Sequence, residues 1–200
     1  MEQSQSEVNL PWWTWILPFF LALIAKSICY RFFFHEGFFY IYGSYVLCLP
    51  LYFIWGPRVF WSQALAEALT ANIVGLKGFD IHLLHGVANA SKPLMGYCFF
   101  LWASKGKYRE KIDRSLLFFF WTLLIASLIA NIILVGFRYG AGDVNAGEFL
   151  PRILKQTLRD CFFGYVISFP LLEKLGPFLK QKNLSRWPLE KEELAESRAP

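Results

Sequence analysis

The chain has 200 residues, of which 56% are hydrophobic and 19% aromatic, with a mean hydropathy of +0.37 and a formal charge of +5. These proportions exclude an ordinary soluble domain and fit several membrane spans. The basic residues gather beside apolar segments instead of forming one continuous stripe, so the positive charge points to membrane topology and not to nucleic acid.

The opening segment, residues 1–10, is polar and lacks a basic n-region. The apolar run after it, Pro11 to Phe33, has no small-residue cleavage site, so it is expected to stay as a first span and not to be removed as a signal peptide. At about 20 apolar residues per crossing, further spans are expected at Phe38 to Trp55, Val59 to Leu76, Ile81 to Ala103, Leu116 to Phe137 and Phe149 to Leu172. The second and third are joined by "WGPRVFW", whose Gly-Pro pair suits a tight turn at the membrane surface. The predicted fold class is all-α, a polytopic membrane protein with a bundle of about six transmembrane helices over residues 11–173 and a charged tail over 174–200. Cys29, Cys48, Cys98 and Cys161 are scattered through apolar segments without CxxC spacing, which predicts buried thiols and no disulfide framework.

Orientation follows from the basic residues. The connection "SKGKYREKIDRS" carries Lys105, Lys107, Arg109, Lys111 and Arg114, and short basic loops stay in the cytoplasm. Six spans then put "RYGAGDVNAGE" outside and return the tail, with Lys174, Lys180, Lys182 and Arg186, to the cytoplasm. The expected location is the inner (plasma) membrane, multi-pass, with both termini cytoplasmic. The final "LEKEELAESRAP" alternates charge at i, i+4 spacing and is expected to be a solvated helix or tail.

Several expected spans carry polar groups that lipid disfavours. In the fourth, His82, His85, Asn89 and Lys92 are spaced 3, 4 and 3 apart and share one stripe of a helix. The third carries Gln63 and Glu67 four apart, and the sixth carries Arg152, Lys155 and Arg159, with Asp160 beside the last. Lys26 and Asn131 add single polar positions in the first and fifth. Packing turns such stripes inward, where the groups satisfy one another. His82, His85, Arg152 and Lys155 are expected toward the outer face, with Glu67, Asn89, Lys92, Arg159 and Asp160 near the midplane. Two readings stand side by side. In one, Glu67 with Lys92, and Asp160 with a basic residue of a neighbouring helix, are buried pairs that set helix register. In the other, the nine residues line an outward-facing ligand cavity or ion path, and the excess of cations favours a small anion, since arginine grips carboxylate or phosphate with two hydrogen bonds.

Enzymatic chemistry has no motif behind it: HExxH, GxSxG, P-loop and GxGxxG are all missing from the sequence. Asp80, His82 and His85 are close in sequence, but Asp80 lies nearly opposite His82 on a helix, so the three cannot converge on a metal without unwinding. No enzyme activity and no cofactor are expected.

At "WGPRVFWSQALAEALTANI" the chain resembles the membrane-associated sensor domain called MASE, in its first-described type. There a Gly-Pro-Arg turn leads into a helix ending in an Ala-Asn pair, matched by Gly56, Pro57, Arg58, Ala71 and Asn72. "GVANASKPLMGYCFFLW" is similar to that family's Gly-Asn helix, and "LRDCFFGYVISFPLL", with Asp160, Gly164 and Pro170, is similar to its closing segment. The resemblance implies an input module that signals to a cytoplasmic partner, usually a diguanylate cyclase or histidine kinase attached after the last span. A transport protein is the alternative from another class, in particular the substrate-binding S component of an energy-coupling-factor transporter. A purely structural membrane protein is a third. The expected partners are the lipid bilayer, a small anionic ligand and a cytoplasmic signalling or coupling protein, with no nucleic acid.

Overall fold

The computed structural model describes residues 10–33, 42–71, 79–104, 112–140, 142 and 144–185. Among them the chain is all-helical, with no strand. Seven helices follow one another: α1 (Trp13–Phe33), α2 (Gly43–Trp55), α3 (Val59–Leu69), α4 (Phe79–Ser104), α5 (Ile112–Gly140), α6 (Ala146–Phe163) and α7 (Phe169–Gln181). A single 3-10 turn, Gly56–Arg58, joins α2 to α3, where the Gly-Pro pair predicted a turn. A five-residue π turn, Gly164–Ser168, joins α6 to α7.

The order follows the expected apolar segments, and the ends differ. The second helix begins at Gly43 and the third ends at Leu69, while the expected extensions over residues 34–41 and 72–78 lie outside the described residues. The sixth continues past Leu172 through α7 to Gln181. Pro170 does not stop it: it follows directly on the π turn Gly164–Ser168, where the hydrogen-bond ladder has already left the i→i−4 spacing that a proline interrupts. Likewise α4 runs through Pro93 as one helix.

Among the described residues two helices are long and apolar enough to cross a membrane: Phe120–Gly140, with mean hydropathy 2.2, and the continuous helix Ala146–Gln181, 36 residues with mean hydropathy 1.2. α2 and α3 have 13 and 11 residues, or about 20 and 17 Å at 1.5 Å per residue, shorter than a hydrocarbon core of about 30 Å. Every residue of α2 except Leu47 is buried. A helix apolar on all sides belongs at the centre of a bundle, and α2 packs against α1, α3, α4, α6 and α7. Tyr45, Leu49, Tyr52, Ile54, Leu123 and Leu172 form the core around it. The outer surface is apolar too: Trp15, Ile24, Trp61, Leu84, Trp121, Phe137, Leu158 and Phe162 are all exposed.

Two local devices hold the central helix. Pro50 removes the N–H that would have reached the Val46 carbonyl, and Ser168 Oγ of the π turn donates to that carbonyl at 2.7 Å. Gly43 lets α1 approach, since a Cβ there would lie 2.6 Å from Cys29 Sγ.

α3 and α4 approach closely at Gly86, where a Cβ would overlap the Ala64 carbonyl oxygen. Backbone lines both sides of this contact, so it cannot yield by a rotamer change. Gly86→Ala is expected to destabilise the solubilised protein by about 1–3 kcal/mol in detergent-driven unfolding. Gly136→Ala, whose Cβ would meet nothing within 4 Å, should be neutral or stabilising through helix propensity. Equal losses at both positions would contradict a tight α3–α4 contact.

Candidate functional site

Two carboxylates in the bundle interior organise the polar groups. Glu67 of α3 is fully buried, and three other helices converge on it. Lys26 Nζ of α1 donates to Glu67 Oε2 at 2.5 Å, Ser44 Oγ of α2 donates to Oε1, and Asn89 Nδ2 of α4 donates to Oε2 at 3.4 Å. His85, one turn before Asn89, closes the group: its Nε2 lies 2.8 Å from Asn89 Nδ2 and 3.4 Å from Lys26 Nζ. Both neighbours are donors, so Nε2 accepts, and the ring is the neutral tautomer with its hydrogen on Nδ1.

Asp160 of α6 is the second centre, and it too is buried. Lys92 Nζ of α4 donates to Oδ2 at 2.9 Å, and Asn131 Nδ2 of α5 approaches the same oxygen at 3.3 Å. Arg159 turns back on its neighbour, with Nη2 and Nε at 2.8 and 3.1 Å from Oδ1. Two cations therefore share one carboxylate. The surplus positive charge meets the Tyr42 ring, whose centroid lies 5.3 Å from Lys92 Nζ and 5.9 Å from the Arg159 guanidinium carbon, within cation–π range. Asn131 Nδ2 also reaches Thr157 Oγ1 at 3.3 Å.

These pairings correct the sequence expectation that Glu67 faces Lys92. Glu67 is taken by Lys26, and Lys92 reaches Asp160. The reason is azimuth: Asn89 and Lys92 are three residues apart and diverge by about 60° around α4, so the stripe divides, Asn89 toward α3 and Lys92 toward α6. The expected pairing of Asp160 with a basic residue of a neighbouring helix does form, with Lys92.

Of the nine expected site residues, Glu67, His85, Asn89, Lys92, Arg159 and Asp160 are drawn into these two centres. Arg152 and Lys155, expected on the same wall, are not among the groups that reach Glu67 or Asp160. Lys155 is exposed, and Arg152, a third exposed, pairs at 3.5 Å with Glu148 one turn away. Lys155 sits on the side of α6 turned away from its buried residues Ile153, Thr157 and Asp160, whereas Arg152 lies seven residues before Arg159, near the same azimuth, with Nη1 buried. His82 is half-buried nearer the start of α4. Sequence reasoning left Lys26 and Asn131 as isolated polar positions and missed Tyr42, just before α2, and Ser44 and Thr157, whose only signal was their place on otherwise buried helix faces.

Some buried polar atoms have no hydrogen-bond partner among the described residues: both amide atoms of Gln63, Asn131 Oδ1, Arg152 Nη1 and Gln156 Oε1. Among the described residues no three His, Cys, Asp or Glu side chains come together as a metal site, and the Asp80 side chain lies outside them. A groove of about 560 Å³ runs between α5 and α6, with Phe120, Leu124, Phe162, Tyr165 and Val166 on its apolar walls and Arg159 beside it. No protein-family model matches this chain, and neither does any curated protein or solved structure.

Proposed function

We propose that the chain is a multi-pass inner-membrane protein with about six membrane-embedded helical segments and both termini cytoplasmic, acting as a sensor module. A small anionic ligand, approaching from the end where α5 passes into α6, biases the interior charge network, and the cytoplasmic exit of α7 passes the change to a signalling partner. The apolar outer surface supports the membrane part, since soluble monomers rarely expose contiguous apolar area on this scale. The resemblance to MASE domains at Gly56 to Arg58, Asp160, Gly164 and Pro170 supports the sensing part.

One observation carries the reading: α4 belongs to both carboxylate centres, through Asn89 to Glu67 and through Lys92 to Asp160. A shift of α4 changes both at once, and Asp160 lies one turn before the π turn that leads into α7. α7 is in turn tied to the α2–α3 corner, where Trp55 Nε1 donates to the Leu184 carbonyl at 2.9 Å. A helix shared by two charge centres is an element whose position a ligand can bias. A transport component would share this topology, but both buried carboxylates, Glu67 and Asp160, are already taken by side chains of the chain itself.

Topology and relay are tested separately. A periplasm-dependent phosphatase should be inactive when fused after Pro200 and active when fused after Asn145; activity after Pro200 would reverse the orientation. Spin labels at Arg58 and Lys182, in a background without the four cysteines, should show a changed distance distribution in Asp160→Asn. An unchanged distribution in a folded variant would remove the relay.

A further inference from the structure

The layer around Asp160 has a counterpart seven residues away on each contributing helix. Lys92 on α4 is preceded by His85, Asn131 on α5 is followed by Arg138, and Arg159 on α6 is preceded by Arg152. Seven residues make nearly two full turns, about 20° short, and rise about 10.5 Å. Each second residue therefore faces nearly the same way as the first.

The second layer lies in one direction. α5 and α6 are antiparallel, because Asn131 meets Thr157, Val135 packs with Ile153, and the Tyr139 and Phe149 rings lie 5.5 Å apart. Arg138 and Arg152 thus sit at one level of that hairpin. α4 is antiparallel to α5 as well, since Lys92 and Asn131 meet at Asp160 Oδ2 while Gly96, further along α4, lies against Leu123, earlier on α5. The three residues mark a level about 10 Å from Asp160 toward the α5–α6 connection.

The two layers differ at their centres. In the inner one Asp160 supplies a carboxylate; in the outer one the equivalent residue is Ile153, buried against Val135, Val144 and Phe149. The outer layer keeps the donors. His85 carries its hydrogen on Nδ1, Arg152 Nη1 is buried with no partner among the described residues, and the nearby carboxylate of Glu148 is about half exposed at 3.5 Å. Gln156, one turn inward of Arg152, holds a buried carbonyl oxygen that receives no hydrogen bond among the described residues.

We propose that this outer layer, His85, Arg138 and Arg152 with Gln156, is a binding site for a small carboxylate that carries a hydroxyl or ammonium group beside its acid function. The ligand carboxylate takes the role that Asp160 plays one layer deeper, receiving hydrogen bonds from Arg152 and from His85 Nδ1. Its neighbouring donor satisfies Gln156 Oε1. The inference rests on the proposed sensing role, whose ligand it defines, and it adds Arg138 and Gln156 to the residues expected from the sequence.

Thermal unfolding of the full chain in mild detergent tests it, with sodium glycolate, acetate and chloride at equal ionic strength as probes. Glycolate should raise the melting temperature saturably, acetate less, and chloride not at all. Arg152→Gln should weaken glycolate by about tenfold or more, as expected for a lost charge-assisted hydrogen bond. Gln156→Leu should abolish the advantage of glycolate over acetate, and Lys174→Gln, on exposed α7, should change nothing. Arg152 is partly exposed, so its variant should fold, and the melt in chloride verifies that. Equal shifts for all three salts, or a glycolate shift untouched by Arg152→Gln, would overturn the site. Because the melt is read in detergent, such a failure is separate from a failed topology assay, which would strike the sensor reading instead.

Discussion

Asp160→Ala is expected to be the most damaging single substitution in the bundle, costing about 3–5 kcal/mol in detergent-driven unfolding. The carboxylate is held by Lys92 and Arg159 and approached by Asn131. Its removal leaves Lys92, only 2% exposed, as a buried ammonium without a counter-charge. Arg159 is 14% exposed and can turn outward, so the burden falls on Lys92. Lys92→Met combined with Asp160→Leu removes both charges and should recover much of the loss. The two changes should therefore be strongly non-additive, with a coupling of about 1–3 kcal/mol. A loss below about 1 kcal/mol for the single change, or plain additivity, would mean the pair does not act as one unit.

The second large effect is expected at Glu67. Glu67→Ala strands Lys26 and removes the acceptor for Ser44 and Asn89 together, loosening the contacts of α3 with α1, α2 and α4. The expected cost is again about 3–5 kcal/mol. The informative partner is Lys26→Met with Glu67→Met, because a buried ion pair replaced by apolar side chains of similar size is often neutral or stabilising. A double variant that is as stable as the parent but no longer changes its α7 distances would show that the charges serve switching. One as unstable as Glu67→Ala would assign the pair a structural role.

Much of this architecture was legible along the chain. The apolar segments set the order of the helices, and "WGPR" marked the α2–α3 corner, where a Gly-Pro pair forces a turn. The polar residues of α3, α4 and α6 stood out because lipid excludes them, and six of the nine do meet inside. Helix ends were less legible at Pro170, which sits in the first turn of α7 and leaves the helix unbroken.

By itself, then, the sequence determined the helical class, the order of the helices and the identity of the residues that must avoid lipid, because composition and the 3.6-residue period act locally. Which charges meet was decided only in three dimensions. Pairing depends on the azimuth and level of separate helices, and a divergence of about 60° between Asn89 and Lys92 sends one to Glu67 and the other to Asp160. Lys26 finds Glu67 across 41 positions of sequence, and Ser168 finds the Val46 carbonyl across 122. No periodicity spans such distances; they are closed by the packing of small residues such as Gly43 and Gly86, which brings the backbones close enough for short polar side chains to reach one another.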